Sequence, residues 1–447
     1  MLGLMVCLLV PSAASATTIS VTTTTDELDV GSRCSLREAI NSANQDSNSE
    51  AEGCVAGNGA DRIVVPAGRF PLNRTGDPFP TTSEDENVFG DLDVKSQVTI
   101  VHGGFRAAVI DNQVSQERVF HIGPSASVVL SGLTISGGNS TSGTNQNGGG
   151  VLNEGTLTIA RSLIEGNQAT FGGGLSTEGT STTTLTNSTV SNNDADEDGG
   201  GLSAETGGTI NIRSSTVSNN EADDDSNGGG DGGGIFASTS GGGGNITLRN
   251  TLIAGNHDAG QEAHDCARLG GGAIASLGHN MIGNTNGCSY VQGPGDVLNR
   301  GARILPLANN GGPTATHSLR KTSPAINAGS TCPATDQRGV KRRLGGRCDI
   351  GSWELARCQG IVINIIGTNG PELLLGTDGP DGILGLGSSD TLRGRGGNDG
   401  LCGGSGADLL NGGTGKDGLN GGGGRDTCQP VGGNNKPSVS CELPRRS

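Results

Sequence analysis

LTIARSLIEGN at residues 157–167 returns three times, as TLTNSTVSNN at 184–193, INIRSSTVSNN at 210–220 and ITLRNTLIAGN at 246–256. Each copy alternates apolar and polar residues over short runs, the period of a strand rather than of a helix. Each ends on an asparagine: Asn167, Asn193, Asn220 and Asn256. Ahead of each stand three glycines and an aliphatic residue: Gly148 to Val151, Gly172 to Leu175, Gly199 to Leu202 and Gly232 to Ile235. The first three triplets start at 148, 172 and 199, so they are 24 and 27 residues apart. That is about one turn of a three-strand parallel solenoid. The four asparagines would then stack as a ladder at one corner. QVTIV at 97–101, RVFHI at 118–122 and SVVLSGLTI at 127–135 carry the strand pattern upstream, so stacking is expected from about Asp61. The expected fold is all-β, a right-handed parallel β-helix over 61–260.

Composition points the same way. Of 447 residues 82 are glycine and only 2% are aromatic, too few large side chains for a thick layered core. A narrow solenoid interior stacking small and aliphatic residues suits such a chain. The formal net charge of −16 argues against nucleic acid and anionic membranes as partners.

A second rhythm runs from Gly367 to Gln429. Seven nine-residue units follow one another: GTNGPELLL, GTDGPDGIL, GLGSSDTLR, GRGGNDGLC, GGSGADLLN, GGTGKDGLN and GGGGRDTCQ. Their sixth positions are Glu372, Asp381, Asp390, Asp399, Asp408, Asp417 and Asp426, and their eighth positions are Leu374, Ile383, Leu392, Leu401, Leu410, Leu419 and Cys428. If nine residues make half a turn, acids eighteen apart share an edge. One column holds Glu372, Asp390, Asp408 and Asp426, and the other Asp381, Asp399 and Asp417. Neighbouring turns lie ~4.8 Å apart, where two carboxylates at an effective dielectric near ~20 repel by roughly 3 kcal/mol. Ordering nine glycine-rich residues costs on the order of 10 kcal/mol, against ~2 to 3 returned by one buried Leu or Ile. A cation between the acids resolves both deficits, and hard carboxylate and carbonyl oxygens suit the loose coordination of Ca²⁺. Folding of 358–447 is then coupled to calcium, with dissociation constants on the order of 10⁻⁴ to 10⁻³ M in an extracellular setting. A flexible glycine-rich linker would have no reason to keep seven acids in register. Gly415-Lys416 is no phosphate loop, because Asp417 follows where Ser or Thr is needed.

These units resemble the GGxGxDxUx repeat of RTX (hemolysin-type) calcium-binding proteins. The resemblance implies a calcium-bound parallel β-roll. The first three units lack the double-glycine opening, and Glu372 replaces Asp in the first. Asp399, Asp408, Asp417 and Asp426 therefore follow the pattern best.

The chain opens on an apolar run, Leu2 to Val10, ending in Ala14-Ser15-Ala16, which reads as a signal peptide over 1–16 cut before Thr17. It is too short to span a bilayer, as is every later run. Export leaves ten cysteines: Cys34, Cys54, Cys266, Cys288, Cys332, Cys348, Cys358, Cys402, Cys428 and Cys441. A solenoid brings sequence neighbours together, so the expected pairs are 34 with 54, 266 with 288, 332 with 348, 358 with 402 and 428 with 441. CSLREAI at 34–40, followed by Asn41 and Asn44, resembles the N-terminal signature of bacterial CSLREA-domain exported β-helix proteins. Leu36, Ala39 and Ile40 fall on one face of a short helix that would cover the open end of the solenoid, within a cap over 17–60. LGHNMIGNTNGC, LPLANNGGPTATHSL and DQRGVKRRLGGRCDIGSWE resemble the closing region of the same proteins, over 261–357.

Carbohydrate-active β-helices need an acid or base, cationic charge for uronates and aromatic platforms. Trp353 and Tyr290 are the one Trp and one Tyr, and neither lies in the repeated turns. Arg213 and Arg249, one turn apart, with Arg161 nearby, read as solvated edge charges. His257, Asp258, His264, Asp265 and Cys266 invite a transition-metal reading, which a bridged Cys266 opposes. Asp194, Asp196 and Asp198, with Asp223, Asp224 and Asp225 one turn later, form a candidate second calcium edge. The expectation is a secreted or cell-surface, monomeric calcium-binding protein with a non-catalytic binding, adhesive or structural role toward an extracellular polysaccharide or cell-surface ligand. The alternative is a calcium-dependent polysaccharide lyase or epimerase acting on uronates.

Overall fold

The computed structural model describes residues 16–28, 31–47, 53–75, 87–104, 106–142, 146–223, 230–238, 242–260, 264–342, 347–429, 436–437 and 441. Residues 1–15, which hold most of the expected signal peptide, lie outside them, as do Asp224 and Asp225.

The fold is all-β with long parallel sheets and one helix among the described residues. The recurring phrases supply its strands. Thr156–Ala160, Thr182–Thr186, Thr209–Arg213 and Asn245–Arg249 are neighbours in one nine-stranded parallel sheet, in register along their whole length. That sheet begins at Thr18–Ser20 and ends at Ala273–Ser276, so stacked strands extend beyond 61–260 on both sides. A second nine-stranded sheet runs from Gly68–Leu72 to Val297–Leu298, and a seven-stranded one from Leu92–Val94 to Cys266–Arg268. Successive passes of the chain therefore lay one strand on each of three sheets, and from Asn139–Ser140 to His257–Asp258 also a two-residue strand on a fourth, five-stranded sheet. Ile100, Leu130, Ile159, Leu185, Ile212 and Leu248 share one register column and are all buried. Each such side chain contributes about 1.5–3 kcal/mol on burial.

Helix Leu36–Gln45 packs against the first strands. Ser35 caps it in a reciprocal box with Glu38, and Leu36, Ala39, Ile40 and Ala43 are buried. Buried Arg37 pairs with Asp26 at 2.7 Å and donates to the carbonyls of Phe89, Gly90 and Asp91. The helix is thereby fixed to the first turns at several points.

Residues 302–355 do not add turns. They lie along the outer face of the second nine-stranded sheet. Thr189 Oγ1 donates to Gln337 Oε1 at 2.7 Å, Ser191 Oγ lies 2.9 Å from His317 Nε2, and Ser352 N donates to Thr216 Oγ1 at 3.0 Å. Leu252 and Met281 pack outward onto Ile350 and Trp353. Two buried ion pairs, Arg338 with Asp336 and Arg342 with Glu354, brace this flank segment. No periodicity announces it, because each contact is made by an irregular loop.

The nonapeptides build a separate two-sheet stack. Ile361–Ile366, Gly382–Gly387, Gly400–Ser405 and Gly418–Gly423 form one parallel sheet, continued by Lys436–Pro437. Leu373–Leu375, Thr391–Arg393, Leu409–Asn411 and Thr427–Gln429 form the other. Leu374, Leu392, Leu410 and Cys428 align at eighteen-residue spacing, as do Ile383, Leu401 and Leu419. These seven residues are buried together between the sheets. Each cysteine among the described residues joins its neighbour in sequence: Cys34–Cys54, Cys266–Cys288, Cys332–Cys348, Cys358–Cys402 and Cys428–Cys441. Among the described residues no helix is long and apolar enough to cross a membrane.

Candidate metal centre

The eighteen-residue turn puts each nonapeptide acid directly over the next in its column. Asp390 Oδ1 accepts the Glu372 backbone N–H at 2.9 Å, Asp408 Oδ1 that of Asp390 at 2.8 Å, and Asp426 Oδ1 that of Asp408 at 3.0 Å. In the other column Asp399 Oδ1 accepts from Asp381 at 2.9 Å and Asp417 Oδ1 from Asp399 at 3.0 Å. One oxygen of each of Asp390, Asp399, Asp408, Asp417 and Asp426 is thus spent on stitching turns together. Asp381, Asp390, Asp399, Asp408, Asp417 and Asp426 are all buried, whereas Glu372 is half-buried.

The second oxygens divide the units into two groups. Glu372 takes the N–H and the hydroxyl of Thr368, and Asp381 Oδ2 takes the N–H and the hydroxyl of Thr377 at 2.6 and 2.8 Å. Asp381 Oδ1 also accepts from Asn364 Nδ2 at 2.8 Å. Protein donors therefore satisfy the first two acids. Oδ2 of Asp390, Asp399, Asp408 and Asp426 is buried with no donor among the described residues. Each of these oxygens faces the first glycine of its own unit. A Cβ built on Gly403 would lie 2.2 Å from Asp408 Oδ2 and 2.5 Å from the carbonyl oxygen of Gly421, and one on Gly394 would lie 2.2 Å from Asp399 Oδ2 and 2.5 Å from the carbonyl oxygen of Gly412. Carboxylate and carbonyl oxygens thus border one small space that only glycine leaves open.

Burial, with the charges of Glu372 and Asp408, pushes the Asp390 carboxyl up to about 6. Burial, with Asp417 and Asp381, does the same for Asp399, also to about 6, and burial with Asp426 raises Asp408. Oxygens that repel a second negative charge and lack a donor are the chemistry a hard cation relieves. Among the described residues no group of three or more Asp, Glu, His or Cys side chains is placed to hold a metal ion by itself. An ion here would combine two stacked carboxylates with backbone carbonyls. The residues fit calcium on those terms.

The two threonines were overlooked in the sequence, although their signal was available. Thr368 and Thr377 hold the second position of units one and two, where units five to seven carry Gly404, Gly413 and Gly422.

The acidic edge of the larger stack is differently arranged. Asp194 pairs with Gln168 and Glu221 in a small parallel sheet, and Asp196 Oδ1 lies 3.5 Å from Gln168 Nε2. Asp198 accepts the Asp231 N–H at 2.8 Å and is raised to about 7, mainly by burial. Asp223 is buried with φ 56°. Asp224 and Asp225 lie outside the described residues.

The His257–Cys266 group is committed elsewhere. Cys266 is in a disulfide, and the Asp258 N–H donates to His264 Nδ1 at 3.1 Å. Asp265 ends the asparagine ladder: Asn167, Asn193 and Asn220 each donate Nδ2 to the next Oδ1 at 2.9 Å, and Asn256 donates to Asp265 Oδ1 at 2.9 Å.

A further cluster joins three successive turns. His121 Nδ1 lies 3.0 Å from Asp93 Oδ1, and its Nε2 lies 3.0 Å from Glu154 Oε2. Those hydrogen bonds, with the charge of Asp91, outweigh burial and raise His121 to about 10, while His121 lowers Glu154. An imidazolium held between two carboxylates is a tie between turns. The three residues are 28 and 33 apart in sequence, which hides them from any fixed-period reading.

This chain matches no protein-family model, no curated protein and no solved structure.

Proposed function

We propose that this is an exported, calcium-binding, right-handed parallel β-helix protein with an RTX-type calcium roll, and that its role outside the cell is binding or structural rather than catalytic. The observation that carries the calcium reading is the set of buried Oδ2 atoms of Asp390, Asp399, Asp408 and Asp426, each without a donor and facing a glycine cradle. Calcium would be held by the stacked carboxylates Asp390, Asp408 and Asp426 on one edge and Asp399 and Asp417 on the other. Carbonyls of Gly403, Gly412 and Gly421 complete the oxygen set. The bound ion supplies positive charge to columns that otherwise repel, and so orders the tail where calcium is abundant. Five disulfides among the described residues support an oxidising destination.

The test is a calcium titration of the full chain followed by circular dichroism and calorimetry. Calcium, and not an equal concentration of magnesium, is expected to raise the strand signal and add a melting transition. A tail that is equally ordered in excess chelator sinks the reading.

A further inference from the structure

One groove lies where three parts of the chain meet. The stack contributes Gly103, Gly104 and Arg161, the flank segment contributes residues between Gly312 and Lys341, and the tail contributes Gly367 to Gly370, Leu386 and Ser405. Its volume is about 630 Å³. In a chain with 45 acidic and 29 basic residues, this groove is lined by Arg161, Arg338 and Lys341 and by no Asp or Glu.

The three cations do different work. Arg338 is buried and paired with Asp336, and its Nη1 donates to the carbonyls of Asn310 at 3.1 Å and Ile363 at 3.2 Å. It fastens the flank wall to the tail wall. Thr314 Oγ1 donates to the Arg161 carbonyl at 3.2 Å, fastening the flank to the stack. Arg161 and Lys341 are exposed, and neither has an acidic side-chain partner among the described residues. Two unspent charges therefore face one fixed space. Around them stand hydroxyls and an amide, from Thr335, Ser405 and Asn369, beside an about equal share of apolar surface that includes Leu386 and Pro313. Charge without counter-charge selects an anion, and hydroxyl and amide groups set beside apolar surface suit a saccharide, whose rings present both hydroxyls and C–H faces.

We infer that this groove binds an anionic oligosaccharide, with Arg161 and Lys341 engaging its carboxylate or sulfate groups. The inference deepens the binding role proposed above. It rests on the calcium reading only for the part of the tail wall, Leu386 and Ser405, that belongs to the turns with open carboxylates.

The experiment is isothermal titration of the full chain at fixed calcium, with a galacturonate tetramer, a heparin-derived tetrasaccharide and neutral maltotetraose. At least one anionic tetramer is expected to bind and maltotetraose is not. The preferred tetramer identifies carboxylate or sulfate as the group recognised. Arg161→Glu with Lys341→Glu should weaken binding at least tenfold while the melting temperature in calcium stays unchanged. The Arg161→Gln, Lys341→Gln pair should give a smaller loss. Arg213→Glu with Arg249→Glu, outside the groove, should leave affinity as it was. Failure of both anionic tetramers to bind, or binding that survives the Arg161 and Lys341 changes, overturns the inference even if calcium still stabilises the tail. Equal binding of single-stranded DNA also overturns it, because that would be charge without saccharide recognition. Groove-dependent binding with no calcium effect on melting would remove the calcium reading and leave this one standing.

Discussion

The two stacks of this chain carry ladders that differ in one chemical group. In the larger stack Asn193 Oδ1 accepts the Asn167 backbone N–H at 3.2 Å, and in the tail Asp408 Oδ1 accepts the Asp390 backbone N–H at 2.8 Å. The first atom of each side chain does the same job. The second does not. Asn193 Nδ2 donates to the carbonyl of Ile164 at 3.1 Å and to Asn220 Oδ1 at 2.9 Å, so the amide satisfies itself and its neighbours. Asp408 Oδ2 has nothing to donate and receives nothing from the described residues. An amide ladder closes on its own, whereas a carboxylate ladder leaves one buried acceptor per turn. Replacing one atom type thus turns a self-satisfied stack into one with an unmet buried acceptor in its turns, which is what the proposed calcium would answer.

The largest effect should come from removing calcium. Hydrogen exchange on the full chain in excess chelator is expected to erase protection across 373–429 while amides across 98–253 stay protected. Protected tail amides in chelator would end the contrast between the stacks. The acids add a pH signature. Asp390 and Asp399 are raised to about 6 in the fold, above the unfolded value of about 3.9. Protonation therefore favours the metal-free tail. Its residual order should be greatest near pH 4 and fall as pH rises through about 6, whereas calcium affinity should rise over the same window as protons stop competing.

Exchanging the groups tests the contrast directly. Asn193→Asp would set a carboxylate against the carbonyls of Ile164 and Ser191 and against Asn220 Oδ1. It should cost about 3–5 kcal/mol, read as a lower melting temperature of the larger stack. Asp408→Asn should do the reverse in the tail. Calcium affinity falls about tenfold or more, roughly 1.4 kcal/mol, while the metal-free tail gains order. A smaller, local effect separates the cradle from the acid. Gly403→Ala should reduce calcium affinity, because its Cβ would fall on Asp408 Oδ2. Gly423→Ala, whose Cβ would meet only the Gly404 carbonyl at 3.9 Å, should not.

Much of this contrast was legible in the sequence because both ladders are periodic. The asparagines at the end of each recurring phrase marked one corner, and the eighteen-residue spacing of the acids marked two columns and the Leu interior. What escaped was aperiodic. Asp265 terminates the asparagine ladder from a loop nine residues after Asn256, not from the next repeat. Gln337, His317 and Ser352 reach Thr189, Ser191 and Thr216 from segments more than a hundred residues away. Arg161 was read as an edge charge because the flank wall that turns it into a lining residue has no repeat of its own.

His121 offers the finest test, because it ties turns of the larger stack by charge rather than by amide. Its ordinary value near 6.5 is raised to about 10 by Asp93 and Glu154, with Asp91 adding to the pull. A histidine raised on folding stabilises fully below its unfolded value, and that contribution is lost as pH climbs through about 10. His121→Gln keeps a polar side chain but no charge. It should therefore lower stability on the order of 2 kcal/mol near pH 6, and the gap from the parent should close as pH approaches 10. Chemical denaturation of both proteins at pH 6, 8 and 10 reads that gap. A difference that is constant with pH would mean that shape, not charge, joins these turns. The asparagine ladder would then be the only polar tie of the two whose strength depends on chemistry rather than on fit.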